Sequence, residues 1–329
     1  MKIDNQFTAG MRYALLLSLT AVLLAPSPAL CLSEAVLAKF NQGFEKQEQV
    51  DTTILAQASE IAKRLSLINP PAKPRKVLVY GISHGPHRNS IPTAMAVIDM
   101  LGKTTGAFEA LCTTELSYFE PEALKKFDAV VFPNTTGDVF VRPLIRDQFK
   151  ALSADERNRQ NQNAERLAQN LADFVSAGGG FFGTHGATDS NKKIPVYVDM
   201  IGAAFSGHPW NGGAHVMIRV EEPDHGLIKN IFPGPEFTFK DEIYEFKSFS
   251  RDRCRVLLSL NIEKSEEPTK PIKGEHYIPV TWLKNYGDGR VLYQSLGHNR
   301  SSWGNEMFLK FMLAGLQYAV GDHPAEDSY

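Results

Sequence analysis

Cysteine is scarce in this chain. Three residues in 329, Cys31, Cys112 and Cys254, are too few for a disulfide scaffold or a four-thiolate zinc site. An excess of either charge is missing as well: 35 Lys and Arg against 37 Asp and Glu leave a net charge of −2. Without a basic field the chain is not expected to bind nucleic acid or an anionic membrane surface. The glycine triplet 178–180 is not followed by Gly-Lys-Ser/Thr, so it is not a phosphate loop, and no nucleotide cofactor is expected. Internal repeats and low-complexity tracts are absent. What remains, 43% hydrophobic and 22% charged residues, is the composition of a globular protein with a large core.

Long apolar runs are lacking too. The longest, ALLLSLTAVLLA at 14–25, has 12 residues, short of the ~20 needed to cross a bilayer. Arg12 precedes it, and small residues at Ser27 and Ala29, or at Ala29 and Cys31, follow it. This is the pattern of a cleaved signal peptide over residues 1–31, which predicts a periplasmic or secreted mature protein with no membrane span. Residues 33–67 then show helical apolar spacing (Val36, Leu37, Phe40, Phe44, Ile54, Leu55, Ala58, Ile61, Leu65), and NPPAKP at 69–74 breaks it. Residues 32–74 are therefore expected to form a helical arm and proline-rich linker, 75–322 the main domain, and 323–329 a tail.

The main domain alternates strands and helices. Short β-rich runs at 76–81, 107–112, 128–134 and 179–186 alternate with helical segments at 91–101, 121–126 and 155–176. That order implies an α/β fold with a parallel sheet covered by helices on both faces. Ligands of such sheets bind beyond the carboxyl ends of the strands. The second half holds further strands at 214–220, 255–260, 277–283 and 290–297, then a closing helix over 305–320.

The polar residues at the strand ends are the candidate chemistry. Gly81-Ile82-Ser83-His84-Gly85-Pro86-His87 carries two histidines on a strand-to-helix loop, and His87 is the better placed to bind a metal or move a proton. In Asn134-Thr135-Thr136-Gly137-Asp138, the side chains of Asn134 and Thr136 can hydrogen-bond a polyol or close a turn on themselves. Gly183-Thr184-His185-Gly186 is the sharpest signal. A residue between glycines at a tight strand-to-helix turn is held above the sheet, as in a nucleophile elbow. Histidine there suits acid–base catalysis or metal ligation rather than acyl transfer, and Asp189 is expected to orient it. Gly207-His208-Pro209-Trp210 offers an imidazole and an aromatic plane on a loop, with Trp210 either stacking on a sugar or covering the core. Glu242 and Tyr244 lie in an alternating segment expected to be an edge strand, and His298 ends the last strand. His215, His225, His276 and His323 lack a supporting pattern.

In order and spacing, FPNTTGD (132–138), GGGFFGTHGATD (178–189), GHPW (207–210), DEIYEF (241–246), PVTW (279–282) and YGDGRVLYQSLGH (286–298) resemble the ThuA-like family, named for trehalose utilisation, within the class I glutamine amidotransferase-like superfamily. The resemblance runs from about Lys76 to Asp322. It implies a flavodoxin-like three-layer fold and a role in sugar or keto-sugar metabolism beside a sugar dehydrogenase. It also implies polar site positions at His87, Asn134, Thr136, His185, Asp189, His208, Glu242, Tyr244 and His298. The superfamily's amidotransferases carry an elbow cysteine and a His-x-Glu pair. Here the elbow residue is His185 and no His-x-Glu occurs, so glutamine amidotransferase chemistry is not expected. The resulting expectation is an enzyme of the isomerase, lyase or hydratase type, with His185, Asp189 and His208 catalytic. Asn134, Thr136, Trp210, Glu242, Tyr244 and His298 would bind substrate, and His87, His185, His208 and His298 are the candidate ligands of a divalent metal. The alternative is a non-catalytic carbohydrate-binding protein on the same fold.

Overall fold

The computed structural model describes residue 38 and residues 48–142, 146–274 and 276–323. The expected signal segment and its cleavage site, residues 32–37 and 39–47 of the arm, and residues 324–329 of the tail lie outside the described residues. Among those described, no helix is long and apolar enough to cross a membrane.

In chain order the elements are α1 (Thr52–Ala62), β1 (Lys76–Tyr80), α2 (Ile91–Thr105), β2 (Glu109–Thr113), α3 (Pro121–Leu124), β3 (Ala129–Pro133), α4 (Arg146–Ala151), α5 (Ala154–Ser176) and β4 (Gly180–Thr184), followed by α6 (Pro195–Ile201), β5 (Ala204–Trp210), β6 (His215–Val220), β7 (Glu236–Lys240), β8 (Ile243–Lys247), β9 (Arg255–Asn261), β10 (Pro279–Tyr286), β11 (Gly289–Gln294) and α7 (Glu306–Ala319). Nine strands form one sheet in the order β2-β1-β3-β4-β11-β10-β9-β6-β7. The first five run parallel to their neighbours, and from β11 onward every pairing is antiparallel.

Apart from its edge strand β2, the parallel half is buried on both faces, which is why β1 and β3 read as near-continuous apolar runs rather than alternating ones. Val77 and Val79 of β1 pack into one core with α1, α2 and α7. Leu78 and Tyr80, pointing the other way, pack into a second core with α5 and α6. Val130 and Phe132 join the second core, and Ala129 and Val131 the first. The helices are set by local chemistry: Ser153 and Glu156 form a reciprocal capping box on α5, and Asp51 caps α1 by accepting from Thr53 and Ile54. Through Leu55, Ala58, Ile61 and Ala62, α1 belongs to the main core.

Two segments depart from the sequence reading. Gly207–Trp210, expected as a loop, is the end of strand β5. The 241–246 segment does not edge the main sheet: β8 pairs with β5 in a separate two-stranded ribbon. This ribbon carries His208 and Tyr244, and Glu242 stands just before β8.

The glycine triplet is the turn from α5 into β4. Gly178 takes a left-handed φ of 106°, and Gly180 packs so closely on the end of α7 that a Cβ there would fall 1.9 Å from the Ala319 carbonyl oxygen. Because that neighbour is backbone, it cannot swing away. Gly180→Ala is expected to cost about 1–3 kcal/mol of stability, read from the midpoint of a chemical denaturation curve; an unshifted midpoint would contradict this packing.

Candidate metal centre

The carboxyl ends of β1, β3, β4 and β11 meet at one rim, where an open parallel sheet places its ligands. Three non-glycine residues on this rim have left-handed backbones: His87 (φ 74°), Asn134 (φ 54°) and His185 (φ 39°). Such conformations are costly and persist where surrounding bonds over-determine them. Those bonds are visible. The Asn134 side chain donates to Ser90 Oγ at 2.9 Å and to the Gly297 carbonyl at 2.6 Å, and accepts from Thr184 Oγ1 at 2.9 Å. One amide thus ties the strand ends to the loop that bears His298.

The tautomers of two histidines follow from their partners. His185 Nδ1 lies 2.7 Å from the Ser295 carbonyl oxygen, which only accepts, so Nδ1 carries the proton. His87 Nδ1 lies 2.6 Å from Thr136 Oγ1, whose own proton goes to the Asn134 carbonyl at 3.2 Å, so His87 also donates from Nδ1. Both rings therefore turn a bare Nε2 inward, the arrangement by which outer hydrogen bonds prepare imidazoles to bind a metal.

Those nitrogens converge with two further groups. His185 Nε2 is 3.2 Å from Glu242 Oε2 and 3.2 Å from His298 Nδ1. His298 Nδ1 is 3.4 Å, and His87 Nε2 3.9 Å, from the same Glu242 oxygen. The four ligand atoms all lie within 4.8 Å of one another. Bonds of ~2.1 Å to a common ion place neighbouring ligands about 3.0–3.5 Å apart, so a small contraction seats an ion.

The electrostatics point the same way. Burial drives His185 down to about 3, so it is a neutral base at ordinary pH. Glu242 is lowered on balance: burial opposes its charge, and protons on the adjacent His185 and His87 favour it. A nitrogen lone pair and a carboxylate oxygen thus face each other at 3.2 Å, a repulsive contact that a cation between them turns into two bonds. Burial lowers His298 as well. Three imidazoles and one carboxylate suit a borderline divalent transition ion, such as zinc, manganese, iron or cobalt, better than magnesium or calcium.

At the mouth, His208 bonds the other oxygen of the same carboxylate, with Nδ1 3.1 Å from Glu242 Oε1. The Lys270 ammonium, which can only donate, lies 2.7 Å from His208 Nε2. With its Nδ1 on Glu242 and its Nε2 on Lys270, His208 bridges the two, and with its side chain 36% exposed it is the most accessible histidine of the group. Tyr244 is buried, its ring 4.0 Å from that of His185 and its hydroxyl 3.2 Å from His87 Nε2. Burial holds that phenol protonated, well above its ordinary range.

The other expected site residues are placed differently. Trp210 does not reach the mouth: it is fully buried in the core and its indole N–H bonds the Glu266 carbonyl. Asn134 is fully buried and satisfied by protein groups, and Thr136 spends its hydroxyl on His87, so both support the site from behind. Asp189 pairs with Lys192; the group that orients His185 is Ser295. His185 lies among the candidate ligands rather than as an accessible acid or base, Glu242 stands with His87, His185 and His298, and His208 sits outside that set. Sequence reading gave no weight to Lys270, or to Phe205, a half-buried ring stacked near His208. Both described cysteines are buried and unbridged, and burial pushes the Cys254 thiol up to about 11, so neither supplies a thiolate here.

Protons compete with a metal for imidazole, so affinity falls as pH falls. With His185 and His298 depressed, that fall is postponed. Between pH ~7.5 and ~6, cobalt affinity measured by calorimetry is expected to drop less than about tenfold, where three ordinary imidazoles would lose several tens of fold. A steep loss across that interval would contradict the assignment.

The ThuA family pattern, described as trehalose utilisation, matches residues 76–319. No curated protein matches the chain in sequence. Among solved structures, a ThuA-like protein from Bacteroides uniformis superposes with a TM-score of 0.60 at 19% identity, over 79% of this chain and 96% of that one. One from Parabacteroides merdae gives 0.51 at 16% identity, over 77% and 93%. At these identities the likeness is one of fold, and it agrees with the flavodoxin-like arrangement of the parallel strands. The match across the sheet, the elbow and the histidine-bearing strand ends makes the chain a member of the ThuA family of trehalose-utilisation proteins.

Proposed function

We propose that this protein is a divalent-metal enzyme of sugar metabolism that moves a proton on a sugar or 3-keto-sugar, as an isomerase, lyase or hydratase. The observation that carries this reading is the convergence of His87, His185, His298 and Glu242 beneath an accessible His208. A metal held by those four residues would supply positive charge beside a developing oxyanion. The protein's own part is proton transfer. His208, anchored through Nδ1 on Glu242, has Nε2 directed toward the mouth, where Lys270 now donates to it. Substrate displaces that contact. His208 then removes a proton from the carbon next to the carbonyl; the C–H pair becomes the C=C bond of an enediolate and the carbonyl π pair moves to oxygen. Returning the proton to the former carbonyl carbon, while the hydroxyl proton passes from one oxygen to the other, completes an isomerisation; expulsion of a β-substituent, which takes its bonding pair and the proton from His208, instead completes an elimination. The displaced Lys270 ammonium stays close enough to steady the oxyanion.

The carbohydrate assignment rests on family membership, and export to the periplasm or beyond rests on the apolar run at 14–25. A sugar dehydrogenase would supply the keto-sugar.

The test is turnover of a 3-keto-disaccharide by the purified full chain, before and after chelation. Activity should vanish with the metal and return on adding it back. His208→Ala should lower kcat by about 10²–10⁴-fold while metal content stays at the wild-type level. Full turnover by His185→Ala, or sugar binding that never yields product, would overturn the reading in favour of a binding protein.

A further inference from the structure

Two of the four proposed ligands come from segments far apart in sequence, Glu242 before β8 and His298 after β11. Between them lies Asp241, a fully buried carboxylate that sequence reading did not single out. Its Oδ2 accepts from the Gly297 backbone N–H at 2.7 Å and from Ser302 Oγ at 3.0 Å. Its Oδ1 accepts from the Asn299 N–H at 3.2 Å and from the Glu242 N–H at 3.0 Å. Three donors thus flank His298 on both sides, and the fourth is the backbone of the other ligand. No Lys or Arg among the described residues forms an ion pair with Asp241. Burial without a cation raises this carboxyl, and its four hydrogen bonds oppose that rise.

Resting on the metal-site reading above, we infer that Asp241 is a positioning residue that sets the spacing of Glu242 and His298 by clamping the 297–302 loop to the carboxylate segment. It makes no contact with the ion or with substrate and acts wholly through two ligands. The geometry is economical: Glu242 turns its oxygens to the histidines, while the neighbouring Asp241 spends both of its own on the 297–302 loop and the Glu242 backbone. Asn134 holds the same loop from the other direction, through the Gly297 carbonyl. Gly297 takes a φ of 113°, which lets its N–H and C=O reach these two clamps at once.

The experiment uses the full chain and cobalt(II), whose visible spectrum reports coordination. Asp241→Asn keeps size but presents an N–H₂ to donors, and should weaken cobalt binding by about 10–100-fold and alter the spectrum. Ser302→Ala removes a single donor and should weaken binding by a few fold; it serves where the first variant folds poorly. In a His298→Ala background the effect of Asp241→Asn should shrink to a few fold, because the part of the clamp that acts through His298 is already lost and only the part through Glu242 remains. Hydrogen exchange on the metal-free protein supplies an independent readout: amides of 297–302 should exchange faster in Asp241→Asn while the β3 and β4 amides do not change. Wild-type cobalt affinity and spectrum in both variants, an undiminished effect in the His298→Ala background, or unchanged exchange of the loop would each overturn the inference. Failure of the wild type itself to bind cobalt would instead count against the metal reading, and the exchange result would still decide whether Asp241 clamps the loop.

Discussion

The hydrogen bond from His185 Nδ1 to the Ser295 carbonyl, at 2.7 Å, is the contact on which the site depends. It joins the end of β4 to the end of β11, strands that are parallel neighbours in the sheet. It also fixes which nitrogen of His185 keeps its lone pair. Once Nδ1 is committed to a carbonyl, Nε2 must face Glu242, and burial prevents a proton from relieving that approach. The left-handed backbone at His185 follows from the same demand, since the chain must turn sharply at the strand end for the ring to reach sideways. A carbonyl acceptor is well suited to this duty, because unlike an aspartate it cannot take up a proton and let the imidazole switch tautomer.

Around that bond the site is built in shells with separate duties. Thr136, Asn134 and Ser295 govern orientation from behind. His87, His185 and Glu242 present electron pairs to a shared space that His298 Nδ1 also faces. The two oxygens of Glu242 divide their work: one faces the imidazoles, and the other anchors His208 at 3.1 Å. That carboxylate couples the buried centre to the accessible mouth, so a change in charge at one is felt at the other. The loop carrying Lys270 is held from the same ribbon. Thr269 donates to the Pro209 carbonyl, Trp210 to the Glu266 carbonyl, and Glu245 accepts from the backbone N–H groups of Lys273 and Gly274. Trp210 therefore contributes to the mouth indirectly, as a buried strut.

Much of the fold was readable because the inner parallel strands are short, apolar at their centres and followed or bracketed by glycine. The elbow was readable because glycines bracket His185. The ribbon formed by β5 and β8 was harder: GHPW contains a proline and a glycine and looks like a loop, yet bulged pairing with β8 accommodates both. Site roles were legible only in part. Histidines at strand ends announced themselves, but no spacing in the sequence says that a glutamate 57 residues from His185 completes their set. Trp210 illustrates a general ambiguity, since an indole beside a polar motif can stack on a ligand or fill a core, and only packing decides. Asp241 and Ser295 were invisible for a different reason. One acts by accepting from backbone amides and the other through its own backbone carbonyl, and neither kind of bond leaves a pattern of side-chain types.

The central claim is that four residues from four segments bind one transition ion. An anomalous difference map from a crystal soaked in cobalt, recorded at the cobalt edge, tests it most directly. The account predicts a single strong peak within about 2.3 Å of His87 Nε2, His185 Nε2, His298 Nδ1 and Glu242 Oε2. A peak elsewhere on the protein, or none at the strand ends under conditions where the ion is in excess, would contradict it.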